Sequence, residues 1–187
     1  MTLLTEEKIS GILVYDGCLL KVHRDEVKLP NGKISIREYI HHPGAVVVLP
    51  FLEEGDVILE RQFRYPASQV FIECPAGKID PGESPEETAR RELLEETGYT
   101  CRELRYLGKT HPGIGYTDEI IYLYEGYGLS LQEVNRDDDE FLEIFHVPFE
   151  EARQMVLRGE ITDAKSVAAI LLSYENRRSE SGIQGEY

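Results

Sequence analysis

Cysteine is scarce and unpatterned in this chain. Cys18, Cys74 and Cys101 are odd in number and show neither CxxC nor His-paired spacing, so a disulfide framework and a zinc site are both unsupported. They are expected to be ordinary thiols. Long apolar runs are missing as well: nothing approaches the roughly 20 apolar residues that a membrane span requires. The start, MTLLTEEKIS, lacks a basic end followed by an apolar run. A cytoplasmic protein is expected. Positive charge is the third shortage, with 20 basic against 35 acidic residues and a formal charge of −15. That balance opposes non-specific binding to nucleic acid or anionic lipid, so an anionic substrate must meet local positive charge. No internal repeat is present.

What is present suits a globular protein with a substantial core: 187 residues, 41% of them hydrophobic. Segments 10–15 and 18–23 alternate around Asp16-Gly17, and 27–29 and 34–39 flank Pro30-Asn31-Gly32-Lys33, which predicts two successive hairpins. The runs 44–50 (GAVVVLP) and 57–62 are continuously apolar in the manner of buried central strands. Further strands are expected at 70–73, 101–107, 119–126 and 141–147, with helices over 84–97, from Pro148 to about residue 157, and over 163–174. The organisation expected is an N-terminal β-ribbon region over 1–43, a main domain over 44–174 and a mobile polar tail over 175–187.

The most informative run is 77–99, GKIDPGESPEETARRELLEETGY. Ser84, Pro85 and Glu87 read as an N-cap, a first-turn proline and a capping-box glutamate, and Gly98 as the stop. At roughly 100° per residue, Glu92, Glu95 and Glu96 fall within about 100° of helical arc. Like charges so placed repel, and Arg91, four residues before Glu95, neutralises only part of them. The surplus suits a hard divalent cation with oxygen ligands, magnesium first. Before the helix, Pro75-Ala76-Gly77 and Asp80-Pro81-Gly82-Glu83 read as a loop whose glycines let backbone approach a ligand.

Gly77, five residues, Glu83, seven residues and then Arg91-Glu92-Leu93-x-Glu95-Glu96-x-Gly98-Tyr99 resembles the Nudix hydrolase box in every fixed position. The resemblance implies an α/β fold, an α/β/α sandwich with a mixed sheet, and hydrolysis of a nucleoside diphosphate linked to another moiety. It implies Mg2+, with Mn2+ as a substitute, held by Glu92, Glu96 and Glu95 with the carbonyl of Ala76, and Arg91 orienting the carboxylates. RQFRYP before the box, HPGIGYTDE after it and GEITDAKS near the end resemble the ADP-ribose pyrophosphatase branch. That resemblance implies ADP-ribose first, GDP-mannose and related nucleotide sugars next, and a homodimer built through the N-terminal ribbon.

Arg61 and Arg64 are candidate phosphate contacts, the alternative being pairing with surface acids. Glu73 resembles a position close to substrate, though it equally suits a strand-end acid. Pro112 and Gly113 belong to a loop that the branch places near substrate, or to a tight inter-strand turn. The acidic stretch 135–140 resembles the loop that supplies the general base, with Glu140 the choice and Asp138 and Asp139 its neighbours. His41, His42 and His111 receive no role. A non-hydrolysing Nudix-fold sensor and a triphosphatase acting on damaged nucleotides are the rival readings; retention of Arg91, Glu92, Glu95 and Glu96 weighs against the sensor.

Overall fold

Turn chemistry organises the first 43 residues. The computed structural model describes residues 4–132 and 141–180, the last without its side chain. Within them the chain forms two compact units, one of residues 1–43 with 111–120 and the other of 44–110 with 121–187. In the first, β1 (Glu7–Asp16), β2 (Lys21–Lys28) and β3 (Ile34–His41) make an antiparallel meander in that order. Gly32 takes φ of 82° in the second turn, its N–H donating to the Leu29 carbonyl, as a Pro-Asn-Gly turn requires. The first turn is longer than the alternation suggests. Gly17 N–H donates to the Leu20 carbonyl, so residues 18–20 belong to the turn and β2 begins at Lys21. One continuous β2 therefore serves both hairpins.

Residues 111–120 bond to the end of β3 within the same unit. Ile40 N–H donates to the Tyr116 carbonyl and His42 N–H to Asp118 Oδ1, each at 2.8 Å. His41 Nδ1 lies 2.6 Å from Asp118 Oδ2. No sequence pattern announces these partners, which are some 77 positions apart.

The second unit contains β4 (Ala45–Pro50), β5 (Asp56–Arg64), β6 (Gln69–Glu73), β7 (Ala76–Lys78), α1 (Pro85–Thr97), β8 (Tyr99–Thr110), β9 (Ile121–Leu131), β10 (Leu142–Pro148), α2 (Phe149–Leu157) and α3 (Ala164–Glu180). One sheet has the order β7-β4-β9-β8, with β4 and β9 parallel and the other pairs antiparallel; the second has the order β10-β5-β6, all antiparallel. The unbroken apolar character of β4 follows from burial on both faces. Val46 and Val48 pack with Ala89 and Leu93 of α1, while Val47 and Leu49 share a core with Ala169 and Ile170 of α3. The mixed sheet is thus covered by helices on both sides. Each such valine, leucine or isoleucine, fully buried, contributes about 1.5–3 kcal/mol.

Two expectations change. The segment at 76–78, read as loop, is a short strand paired with β4 through Val46↔Gly77 and its neighbours. The last helix does not stop near Tyr174 but runs to Glu180, because Arg177 gives that stretch something to hold. Its guanidinium lies 4.0 Å from the Phe51 ring centroid, and Ser173 donates 2.6 Å to the buried Glu125. Residues 175–180 are therefore not a loose tail, and 181–187 fall outside the described residues.

Candidate active site

Helix α1 is fixed at both ends by its own sequence. Ser84 N–H donates to Glu87 Oε2 at 2.8 Å and the Glu87 N–H donates back to Ser84 Oγ at 3.3 Å, a complete capping box, with Pro85 following. Gly98 ends the helix at φ of 80°, its N–H bonded to the Leu94 carbonyl. Thr88, Ala89, Leu93, Glu96 and Thr97 face inward, while Glu92 and Glu95 line the edge where Arg91 meets the Lys78 carbonyl of β7.

Arg91 is the hub of that edge. Its Nε donates to Glu83 Oε1 at 3.0 Å and its Nη2 to Glu83 Oε2 at 3.0 Å, while Nη1 donates to Glu92 Oε1 and Glu95 Oε2, each at 2.8 Å. The Lys78 carbonyl accepts from Nη2 as well. The i,i+4 bond to Glu95 was expected; the bidentate grip on Glu83, the strongest influence raising the Arg91 pKa, was not. Reciprocally, the Arg91 guanidinium, helped by the Thr88 hydroxyl, holds the Glu83 carboxyl below its usual range.

Glu92 and Glu96 reach the strand side of this edge in different ways. A Cβ on Gly77 would fall inside contact distance of the Glu92 carboxylate, so glycine here makes room for a side chain of α1. Glu96 is 4% exposed, and its Oε2 accepts from the Ala76 N–H at 2.8 Å. Arg91, Glu92, Glu95, Glu96 and Ala76 are therefore gathered in one place. The donor set is entirely oxygen, which fits a hard cation, and the Gly77 cradle fits a carboxylate turned toward β7. Among the described residues no three acids or imidazoles already stand in metal-holding geometry. Arg91 Nη1 holds Glu92 Oε1 and Glu95 Oε2.

A second cluster lies where β5, β6 and α3 meet. Arg64 donates from Nε and Nη2 to the two oxygens of Glu73, both at 2.8 Å. Glu73 is 2% exposed and also accepts from Lys165 Nζ. Lys165 in turn donates to Asp163 Oδ2 at 2.9 Å, and that oxygen accepts from the Ser166 N–H and hydroxyl at the start of α3. Burial pushes the Glu73 carboxyl up, but Arg64 and Lys165 together outweigh it and hold it below the usual range. Lys165 and Asp163 were missed by sequence reasoning. Ninety-two positions separate Lys165 from Glu73, and only the fold connects them.

The other sequence candidates are Arg61, Gly113 and Glu140. Strand alternation sends Arg61 to the opposite face of β5 from Arg64. There it donates to Glu143 at 2.8 Å and stacks 4.0 Å from the Phe145 ring centroid, as a surface ion pair does. Gly113 belongs to the first unit. A Cβ there would meet the Tyr116 ring and the Thr117 methyl, and its carbonyl accepts from the Tyr116 and Thr117 N–H groups, so local packing already accounts for glycine. Glu140, with Asp138 and Asp139, lies outside the described residues.

The Glu73 arrangement predicts a pH dependence of stability. With its folded pKa depressed, the contribution of Glu73 is fully present above the ordinary carboxylate value of 4.5 and is lost as pH falls through the folded value. Denaturant melts should place Glu73→Gln below the wild type at pH 7 by about 2 kcal/mol, less than the roughly 3–5 of a broken buried pair because Arg64 keeps 42% exposure. The gap should narrow steadily below pH 4.5; a gap unchanged down to pH 3 would contradict the assignment.

Comparison with known proteins adds an independent line. Residues 40–170 match the NUDIX domain family, and residues 6–40 match the nucleoside diphosphate sugar hydrolase N-terminal domain. The ADP-ribose pyrophosphatase of Bacillus subtilis (strain 168) is 42% identical over 172 residues, covering 91% of this chain and 93% of that protein. The methanol dehydrogenase activator of Bacillus methanolicus is 39% identical, covering 90% and 92%. A GDP-mannose pyrophosphatase of Yersinia pestis (strain Pestoides F) is 34% identical, covering 75% and 74%. A crystal structure of an ADP compounds hydrolase superposes with a TM-score of 0.87 over 98% of this chain and 100% of that one; at 23% identity it speaks for the fold alone. Because the family match runs from the end of β3 through the box helix into α3, the chain belongs to the NUDIX domain family and is a Nudix hydrolase.

Proposed function

We propose that this chain is a magnesium-dependent pyrophosphatase that hydrolyses ADP-ribose to AMP and ribose 5-phosphate in the cytoplasm. The observation that carries the reading is the Arg91 guanidinium, which gathers Glu83, Glu92 and Glu95 beside the Gly77 cradle. Like charges held so close destabilise a helix surface, an expense that a cation site explains and a plain solvated face does not. The substrate follows the named activity of the 42% identical Bacillus subtilis relative. GDP-mannose is the second reading, favoured by the match of residues 6–40 to a nucleoside diphosphate sugar hydrolase domain and by the Yersinia pestis relative.

In this reading Glu92, Glu95 and Glu96, with the Ala76 carbonyl, hold Mg2+, and Mn2+ can take its place. Bound magnesium supplies Lewis-acid polarisation of the phosphoanhydride. Arg91 keeps the carboxylates neutralised beforehand, its bidentate grip on Glu83 holding its own position. Arg64 meets a phosphate oxygen, with Glu73 fixing the guanidinium plane. Arg61 and Gly113 are the further substrate contacts of this reading, beside their local bonds. Glu140 accepts the proton of the attacking water; the new O–P bond forms as the anhydride O–P bond breaks, and the departing phosphate keeps the electron pair.

We infer further that the protein is a homodimer. Ile9, Ile12, Val14 and Tyr15 of β1 are each about half exposed or more, and Ile34 of β3 is 62% exposed. Two bulges in β1, after Lys8 and after Leu13, disturb its alternation and put apolar side chains on both faces. Covering even a few of them contributes several kcal/mol at about 1.5–3 kcal/mol per side chain, and a second copy of the ribbon has matching chemistry.

Three measurements test this account. Purified protein with magnesium should show its highest kcat/KM on ADP-ribose in a panel with GDP-mannose, ADP-glucose, FAD, NADH, dinucleoside polyphosphates and dGTP. Binding without turnover would leave a sensor, and preference for dGTP a triphosphatase. Glu140→Gln should fold normally and lose at least about a hundredfold in kcat; near-normal turnover removes Glu140 from the role of base. Light scattering at micromolar concentration should give twice the 21.4 kDa chain mass, and a monomeric value would refute the dimer.

A further inference from the structure

We propose that Lys165 is a positioning residue for substrate binding, acting through Glu73 to fix the guanidinium of Arg64 so that a phosphate meets it in one orientation. This rests on the reading that Arg64 contacts the pyrophosphate. Arg64 lies at the end of β5 with its side chain 42% exposed, while its partner Glu73 is 2% and Lys165 13% exposed. The buried Glu73 carboxylate bridges the two cations. Nε and Nη2 of Arg64 are committed to the two Glu73 oxygens, and among the described residues Nη1 has no acceptor. That leaves one outward edge of the fork for an anion.

Glu73 can hold Arg64 in plane only if its own carboxylate does not swing. Lys165 supplies the third bond to it, on Oε2, and is itself anchored to Asp163, whose carboxylate also accepts from Ser166 at the first turn of α3. The arrangement makes α3 a rigid support for a side chain on β5. Lys165 is not needed to attach α3 to this edge, since the Ser166 hydroxyl already accepts from the buried Cys74 N–H at 2.8 Å. Charge points the same way. Besides Glu73, Glu60 and Glu96 act on Arg64 through space, so a lone guanidinium would present a poorly cationic face to a pyrophosphate. The ammonium of Lys165 shares the Glu73 carboxylate with Arg64, so that carboxylate does not cancel the guanidinium charge alone.

The test is a double-mutant cycle in steady-state kinetics on whichever panel substrate the wild type turns over best, with melting temperatures recorded in parallel. Lys165→Met should raise KM about tenfold with kcat within about threefold of wild type, and Lys165→Arg should restore most of the loss. In an Arg64→Gln background the same Lys165→Met change should have no further effect on KM, because the guanidinium it positions is gone. If Lys165→Met does not fold, Lys165→Gln, which removes the charge but keeps a donor, is read in its place. A KM within twofold of wild type, an equal rise in both backgrounds, or a loss confined to kcat would overturn the proposal while leaving the hydrolase reading intact. Absence of wild-type turnover across the panel would overturn the hydrolase reading, and this one with it.

Discussion

Everything in the box depends on one guanidinium holding carboxylates that would otherwise repel one another. Arg91 lies between the loop acid Glu83 and the helix acids Glu92 and Glu95, and each of its nitrogens is used. The geometry is possible because α1 is rigid at both ends and because β7 lies close enough for the Lys78 carbonyl to accept from the same side chain. An arginine is required where a lysine would fail. Only a planar fork can grip one carboxylate with two nitrogens and still direct the third at two others.

The sheet supplies the surface against which that helix is pressed. Successive valines of β4 alternate between a core with α1 and a core with α3, so the same strand locates the box helix on one face and the α3 support on the other. β7 extends this sheet by pairing with β4, which brings the Ala76 N–H to Glu96 and the bare Gly77 Cα to Glu92. The stretch that reads as a ligand-approaching glycine loop is therefore part of the scaffold. Its glycine serves a neighbouring side chain rather than an unusual backbone conformation.

Polar burial in the second unit is concentrated in connected networks. Glu73 joins Arg64 and Lys165, Glu125 joins Ser173 and lies 3.8 Å from Arg177, and Cys74 joins Ser166 through its backbone. Each ties α3 to a strand or, for Cys74, to the residue that follows β6, and breaking one would leave a buried group unsatisfied at a cost of about 1–3 kcal/mol. The helix consequently extends to Glu180 instead of fraying where its sequence turns polar. Composition alone reads that stretch as tail, because the aromatic rings that receive Arg177 come from β9 and from residues 51 and 149.

The sequence by itself determined the box helix, its capping box, its glycine stop, the Pro-Asn-Gly hairpin turn and the buried character of β4. In each case the determining interactions lie within a few residues of one another or follow from a single strand's periodicity. The tertiary structure decided the rest. Alternation along β5 separated Arg61 from Arg64 once that strand was paired on both edges, and folding brought Lys165 to Glu73 and Asp118 to His41 across 92 and 77 positions. Pairings at such separations leave no local trace, because a lysine two residues after an aspartate looks like any solvated helix start until a buried carboxylate is brought to meet it.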